Sequence, residues 1–185
     1  GNLNDSKQYI FKSIIKNEKK YKVIITTGGA SVGDEDHLID LLKEKGKIFF
    51  WKTAIKPGRP LAIGSISGSI IICLPGNPVS VHLLYAMIIK PFLKHLCGSE
   101  IIIPKSIKAI INFSMKKKTK RLEWLRVKIK KIDSIGTHVD LYKKQGSAMI
   151  SSMVYSDGII EIPENVKELK KGNRFDFYLF DHLFN

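Results

Sequence analysis

The sequence has little cysteine and no long hydrophobic run. Only two of its 185 residues are cysteines, Cys73 and Cys97, and because both stand among apolar neighbours we expect two buried free thiols. No apolar run approaches the roughly 18 residues that a membrane-spanning helix needs. The sequence opens without a basic and apolar leader, so nothing suggests export. We therefore expect a cytoplasmic protein with no membrane partner.

Acidic residues are also scarce, and the formal net charge is +14, with 31 Lys and Arg against 17 Asp and Glu. The densest basic cluster lies at 116–121. Three interpretations stay open from charge alone: a nucleic-acid surface, a solvated lysine-rich loop, or a general field that attracts anionic ligands. A nucleic-acid surface usually interleaves aromatic residues as a stacking platform, and this cluster has none. We expect no nucleic-acid partner.

The first hundred residues alternate between the two hydrophobic periodicities. Helical spacing predicts helices at 5–20, 35–45 and 78–97, the last of them kinked or split by Pro91. Short β-branched runs predict strands at 22–27, 47–55, 61–66 and 70–74. Strands that alternate with helices favour an α/β fold with a parallel or mixed sheet.

The pattern changes near residue 100. Short alternating runs follow at 107–113, 122–132, 137–142, 159–162 and 174–180, separated by lysine-rich or Gly/Ser/Asp turns, with one candidate helix at 164–170. This pattern predicts a small all-β barrel or sandwich, with the boundary at about 99–104.

Three segments between the predicted elements suit the binding of anions. Residues 26–36 join a strand to a helix through a glycine-rich loop, where free backbone amides can hold a phosphate, although neither Walker A nor G-x-G-x-x-G is matched. Residues 56–60 hold two cations in a stiff turn with two prolines. Residues 74–80 join a buried strand to a helix that begins with Pro78.

Each segment also has an ordinary structural explanation, as a tight turn with acidic capping, an exposed charged turn, or a helix start capped by Asn77. All three nevertheless follow predicted strands. Because loops at the carboxyl ends of strands line the ligand crevice of open α/β sheets, their joint pattern favours one shared site.

These residues resemble the MoeA family, which includes bacterial MoeA, plant homologues and the vertebrate scaffold gephyrin. The family pattern GG-x-S-x-G-x-x-D, KPG-[KR]-P and LPGNP-x-S occurs here in order. In the second half, residues 121–126 are similar to the family's R-x-[DE]-[FW]-x-R, and residues 145–152 to its QGS…SS segment. The resemblance covers most of residues 20–180.

The resemblance implies a partial three-layer α/β molybdopterin-binding domain at 1–100, with its N-terminal part outside this sequence, and a β-barrel domain at 101–185. It implies a transferase of molybdenum cofactor biosynthesis that inserts molybdate into adenylated molybdopterin with release of AMP. The protein would act by positioning and charge neutralisation. The full-length protein would be a homodimer, and this chain alone is expected to lack activity.

Site residues follow by the same resemblance. Molybdopterin-AMP would be held by Gly28, Gly29, Ser31, Gly33, Pro60, Pro75, Gly76, Asn77 and Pro78. Molybdate would be bound by Lys56, Arg59, Arg126 and Ser147, with Lys56 and Arg59 also taking catalytic roles. Asp36 would act in catalysis and bind Mg²⁺. Arg59 often corresponds to a lysine in the family, and its planar fork presents the charge differently.

Other functions remain open. A sibling enzyme that adenylates molybdopterin shares the GG and PGNP-like loops, but it lacks the β domain that carries Arg126 and Ser147. A non-catalytic scaffold of gephyrin type would use the same fold. The five histidines lack metal-ligand spacing, so we expect them to pack or to lie at the surface.

Overall fold

The structure is a computed structural model that describes residues 2, 6–28 and 37–184. These residues form two compact units. The first contains the chain up to Thr53 and Gly58–Val81, and the second contains Ala54–Pro57 and the chain from His82 onward. The short segment Ala54–Pro57 therefore groups with the second unit, although the chain on either side of it belongs to the first.

The first unit contains two helices and a four-stranded mixed sheet. Its elements are α1 (Lys7–Glu18), β1 (Val23–Thr27), α2 (His37–Lys45), β2 (Lys47–Trp51), β4 (Ala62–Ile66) and β5 (Ser69–Leu74). The strand order is β1-β5-β4-β2, in which β1 and β5 are parallel and the other pairs antiparallel. This arrangement confirms the predicted mixed α/β sheet.

Helical spacing explains how the helices cover the sheet. In α1 the buried residues Ile10 and Ile14 are four positions apart and share one helix face. Helix α2 buries four apolar side chains, and both helices pack in one core with Ala62, Ile66 and Ile71 of the sheet. Strand β2 ends at Trp51 rather than at residue 55, because Lys52 adopts a positive φ of 68° that a strand does not accommodate.

The predicted long helix is divided in the way that Pro91 requires. It comprises α3 (Pro78–Leu84), a π-helical turn (Tyr85–Ile89) and α4 (Lys90–Leu96), with Pro91 in the first turn of α4. Proline lacks an N–H and its ring clashes with the carbonyl four residues earlier, so a wider π turn directly before it relieves the conflict. Cys97 caps α4 and is exposed, so the prediction of two buried thiols is wrong for it, while Cys73 is buried.

The second unit is built on a closed five-stranded barrel. Its strands are β6 (Ile107–Ile111), β8 (Leu122–Asp133), β9 (Gly136–Leu141), β10 (Gly158–Ile162) and β12 (Arg174–Leu179). They follow the order β10-β12-β6-β9-β8, and the pairing of β8 with β10 closes the ring. Leu125, Val127, Ile160 and Phe177 lie in its apolar core. The predicted all-β domain is confirmed as a barrel.

Smaller elements decorate this barrel. They are β3 (Ile55–Lys56), β7 (Met115–Lys116), β11 (Glu168–Leu169), α5 (Ser151–Val154) and α6 (Phe180–Phe184). Strand β3 pairs in parallel with the start of β8, and β7 pairs with β11. The helix predicted at 164–170 is wrong: this segment contains turns and the two-residue strand β11, because Leu169 is buried by extended pairing with Met115.

The close approach of β10 and β12 gives a test of this barrel. A Cβ added at Gly158 would lie 2.2 Å from the Tyr178 carbonyl oxygen and 2.6 Å from the Phe177 ring. We expect Gly158→Ala to lower the free energy of unfolding by about 1–3 kcal/mol, the usual cost of overpacking. Chemical denaturation measures this change, with Ser134→Ala at the exposed tip of the β8–β9 hairpin as the control. Equal stability of the two variants would contradict the described pairing.

Candidate functional site

Four strands of the α/β sheet begin or end at the same edge, and several predicted site residues lie next to these strand ends. Because β1 and β5 are parallel, their carboxyl ends lie together, and the antiparallel partner β4 begins at the same edge, where Ala62 pairs with Cys73. Strand β2 ends there too, since Trp51 pairs with Ala62. The residues next to these ends include Gly28 after β1, Arg59 and Pro60 before β4, and Pro75, Gly76, Asn77 and Pro78 after β5.

Two of the predicted loops meet closely at this edge. The Gly28 N–H donates to the Leu74 carbonyl at 3.1 Å, and Gly28 has a φ of +82°, which favours glycine. A Cβ added at Gly76 would lie 3.6 Å from the Gly28 Cα. Pro75 is buried, whereas Gly76 and Asn77 are exposed. Gly28 is partly buried, and two neighbouring glycines without side chains allow a ligand to approach their backbone closely.

The turn that carries Arg59 is fixed by backbone hydrogen bonds. The Thr53 hydroxyl donates to the Gly58 carbonyl and the Thr53 N–H to the Arg59 carbonyl, each at 3.0 Å. The Leu61 N–H also donates to the Gly58 carbonyl, at 3.1 Å. Gly58 has a φ of +139°, which a residue with a side chain rarely adopts. These contacts fix the backbone at Arg59, whose side chain is exposed.

Gly29, Ser31, Gly33 and Asp36 lie outside the described residues, so their predicted roles stay predictions. The magnesium prediction depends on Asp36 and has the same status. Within the part of the chain that the structure describes, no group of three or more His, Cys, Asp or Glu side chains is placed to hold a metal ion.

In the barrel, the guanidinium of Arg126 is the central buried charge. The residue is 1% exposed and lies on β8, facing away from the core residues Leu125 and Val127. Its Nε donates to the Ser152 hydroxyl at 3.2 Å, Nη1 to the Trp124 carbonyl at 3.0 Å, and Nη2 to the Gly146 carbonyl at 3.5 Å. Burial lowers the pKa of Arg126 to about 10, and the negative charge of Glu123 opposes this shift.

Gln145 fixes the loop that carries Ser147 onto the same strand. Its Oε1 accepts the Arg126 backbone N–H at 2.9 Å, and its Nε2 donates to the carbonyls of Arg126 and Tyr142 at 2.8 and 2.6 Å. Ser147 follows Gly146 directly, whose carbonyl accepts from the guanidinium. The barrel thus brings the predicted Arg126 and Ser147 into one hydrogen-bonded neighbourhood.

The start of β8 binds the segment that carries Lys56. The Leu122 N–H donates to the Ala54 carbonyl at 2.9 Å, and Arg121 Nη1 donates to the Ile55 carbonyl at 3.3 Å. Lys56 Nζ lies 2.7 Å from Glu123 Oε1, in an ion pair whose carboxylate side chain is 6% exposed and whose lysine side chain is 38% exposed. Residues 121–123 therefore contact each residue of the segment 54–56.

Glu123, Gln145 and Ser152 were not assigned roles from the sequence. Glu123 and Ser152 belong to patterns that carry the family resemblance, yet their letters alone did not show what they bind. A detectable signal was the acidic residue within the mainly apolar run 122–125, because a carboxylate on a buried strand needs a cation or several donors.

A separate basic cleft lies on the barrel. Its volume is about 630 Å³, and it is lined by residues 128–130 and 140–144, which include Lys128, Lys130, Lys143 and Lys144. None of the predicted site residues that the structure describes lines it. No helix among the described residues is long and apolar enough to cross a membrane.

Comparison with known proteins defines the class to which this architecture belongs. Residues 1–95 match the family model of a probable molybdopterin binding domain, and residues 108–180 match the model of the MoeA C-terminal region, domain IV. An α/β molybdopterin-binding domain followed by this barrel domain is the arrangement of MoeA proteins. The chain belongs to the MoeA family.

The particular relatives are molybdopterin molybdenumtransferases. That of Haemophilus influenzae is 30% identical over 99% of this chain and 46% of its own length, and that of Staphylococcus aureus is 28% identical over 87% and 38%. Among solved structures, a molybdopterin biosynthesis MoeA protein from Pyrococcus horikoshii has a TM-score of 0.76 and 28% identity, covering 97% of this chain and 42% of that one. The chain spans less than half the length of these relatives.

The Arg126 network predicts a selective loss of stability. Ser152 is fully buried, so Ser152→Ala leaves the Nε–H of a buried charge without its acceptor. We expect the free energy of unfolding to fall by about 1–3 kcal/mol. Ser151→Ala, the neighbouring change, removes no contact to Arg126 and serves as the control. Chemical denaturation of both variants checks the expectation, which fails if they are equally stable.

Proposed function

We propose that the protein containing this chain inserts molybdate into adenylated molybdopterin, with hydrolytic release of AMP, in molybdenum cofactor biosynthesis. The observation that carries the proposal is a pair of cations bound at strand β8. The buried Arg126 guanidinium contacts Gly146, next to Ser147, and the half-buried Lys56 ammonium is paired with Glu123. The names of the relatives and the match to the MoeA C-terminal region support this reaction over adenylation of molybdopterin.

The oxyanion would be bound by Lys56, Arg126 and Ser147, and Arg59 is a further proposed donor. Molybdate is a tetrahedral dianion that takes several cationic or hydroxyl donors. Arg126 is held by three acceptors, so little side-chain ordering remains when an anion binds. Preorganised donors in a partly buried site stabilise negative charge more than the same groups in water.

Adenylated molybdopterin would lie along the sheet edge of the α/β unit. The neighbouring glycines Gly28 and Gly76 support this assignment because their missing side chains leave room for a ligand. The other proposed contacts at this edge are Pro60, Pro75, Asn77 and Pro78. Gly29, Ser31 and Gly33 would complete the loop. A Mg²⁺ ion bound through Asp36 would neutralise phosphate charge.

We also propose a homodimeric protein in the cytoplasm.

The chemistry asked of these residues is positioning and charge neutralisation. Lys56 and Arg59 would hold molybdate in line with the dithiolene sulfurs, since holding two reactants in place removes much of the entropic barrier. AMP leaves as water attacks the phosphoanhydride bond that joins its phosphate to the phosphate of molybdopterin, so the molybdopterin keeps its own phosphate. The protein would form no covalent intermediate with either substrate.

Replacement of Lys56 tests the oxyanion assignment. In the full-length protein, we expect Lys56→Ala to lower kcat/KM for molybdate about tenfold or more, because one charge-assisted contact contributes about 1.5–3 kcal/mol. The reaction is followed by AMP release at limiting molybdate.

Lys108→Ala is the matched control for this change. Lys108 forms a 2.9 Å ion pair with Asp176 on the same barrel and belongs to none of the proposed subsites. Its replacement should leave the molybdate dependence unchanged. Full activity of the Lys56 variant at limiting molybdate would show that this turn does not bind the oxyanion.

A second candidate, polyanion binding, is favoured by the basic cleft and by the 116–121 cluster. Lys117 is not simply solvated, since its ammonium donates to the Pro163 carbonyl and burial lowers its pKa. Lys116 and Lys118 are exposed. The test therefore changes these two and leaves Lys117 in place.

We expect Lys116→Ala/Lys118→Ala to leave molybdate-dependent AMP release unchanged. Affinity for single-stranded and duplex DNA, measured at 50 and 200 mM salt, serves as the second readout. If the cluster bound nucleic acid, the double change would reduce both the affinity and the slope of its salt dependence. A reduced slope would favour the second candidate for this surface.

A further inference from the structure

We infer that Glu123 is a positioning residue that holds the Lys56 ammonium in place for the oxyanion. This inference rests on the proposed function and deepens it, because it assigns a role to a buried carboxylate that the proposed reaction does not otherwise use. The geometry comes from the barrel unit alone, where Lys56 and Glu123 are register partners of β3 and β8.

The environment of Glu123 explains why it fixes a cation. The side chain is 6% exposed, and its Oε1 lies 2.7 Å from Lys56 Nζ. A buried carboxylate without a cation would be strongly unfavourable, so the pair is held more firmly than a surface ion pair. The negative charge of Glu123 also opposes the lowering of the pKa of Arg126 and of Lys117 by burial.

The backbone around Lys56 is fixed in the same way. Strand β3 has only two residues, and its attachment to β8 includes the contacts of Leu122 and Arg121 to the carbonyls of Ala54 and Ile55. With the backbone held, the remaining freedom of Lys56 lies in its flexible four-carbon stem. The ion pair restricts that stem, and it occupies one of three N–H donors, which leaves two for an anion.

This arrangement gives Glu123 two opposing effects on an anion. Its negative charge repels the anion, while its contact with Lys56 removes the conformational entropy that binding would otherwise have to remove. Glu123→Gln separates the two effects, because the amide keeps an acceptor oxygen and loses the charge. Glu123→Ala removes both. A positioning role requires the alanine variant to be the more impaired of the two.

The experiment measures the molybdate dependence of AMP release by the full-length protein. We expect Glu123→Ala to raise KM for molybdate about tenfold, without a matching change in kcat or in KM for adenylated molybdopterin. Glu123→Gln should raise it less. Asp176→Ala, which removes the carboxylate of the Lys108 pair, should leave all three quantities unchanged.

A double-mutant cycle then tests whether Glu123 acts through Lys56. We expect Lys56→Ala/Glu123→Ala to have the KM for molybdate of Lys56→Ala alone. Additive effects, or an unchanged or lowered KM in Glu123→Ala, would overturn the inference while leaving the proposed function intact.

An NMR measurement of the Lys56 ammonium distinguishes failure of the positioning role of Glu123 from failure of the proposed oxyanion site. Its ¹⁵N signal, identified by its loss in Lys56→Ala, should be protected from exchange with water in the unmodified protein and lost in Glu123→Ala. If that holds but Lys56→Ala leaves KM for molybdate unchanged, the oxyanion assignment fails and the inference fails with it. Thermal unfolding of each variant shows whether a change in KM reflects misfolding, and Glu123→Gln, which keeps the side-chain shape, remains testable where the alanine variant does not fold.

Discussion

Burial of the Arg126 guanidinium is the constraint on which the barrel site depends. A charge removed from water must be hydrogen-bonded or paired. Here the acceptors come from its own strand, from the segment after β9 and from helix α5. Because these acceptors are spread along the chain, satisfying one side chain ties Gly146 and Ser152 to β8, and Gln145 adds contacts to the β8 backbone. Ser147 lies between these attachment points.

Strand β8 extends the same logic to the turn that carries Lys56. Its twelve residues pair with β3, β9 and β10, so one strand both closes the barrel and binds a segment from a distant part of the chain. Lys56 and Arg59 are three residues apart, yet Lys56 groups with the barrel unit and Arg59 with the α/β unit. Each cation is fixed within its own unit, since Thr53 holds the backbone at Arg59 and Glu123 pairs with Lys56.

The sequence predicted the fold well where hydrophobic period and turn chemistry agree. The mixed α/β sheet, the β-barrel and the interruption at Pro91 all followed from local pattern. Two predictions were wrong. The burial of Cys97 is decided by tertiary packing, and the 164–170 segment forms a two-residue strand pairing that leaves no periodic signal in the sequence. Among the proposed site residues, family motifs pointed to Lys56, Arg126 and Ser147, whose roles stay predictions. The partner of Glu123 needed coordinates, since an ion pair across 67 positions has no local signature.

The buried Glu123 carboxylate also explains why the Lys56 ammonium stays in place before any anion arrives. The Glu123 side chain is 6% exposed and its Oε1 lies 2.7 Å from Lys56 Nζ, so rotation of the lysine into water would leave a buried charge without its partner. Under the proposed function, the pair gives up some attraction for a dianion in return for a preorganised geometry. That exchange suits an enzyme, because interactions that hold the ground state too tightly lower KM without raising kcat.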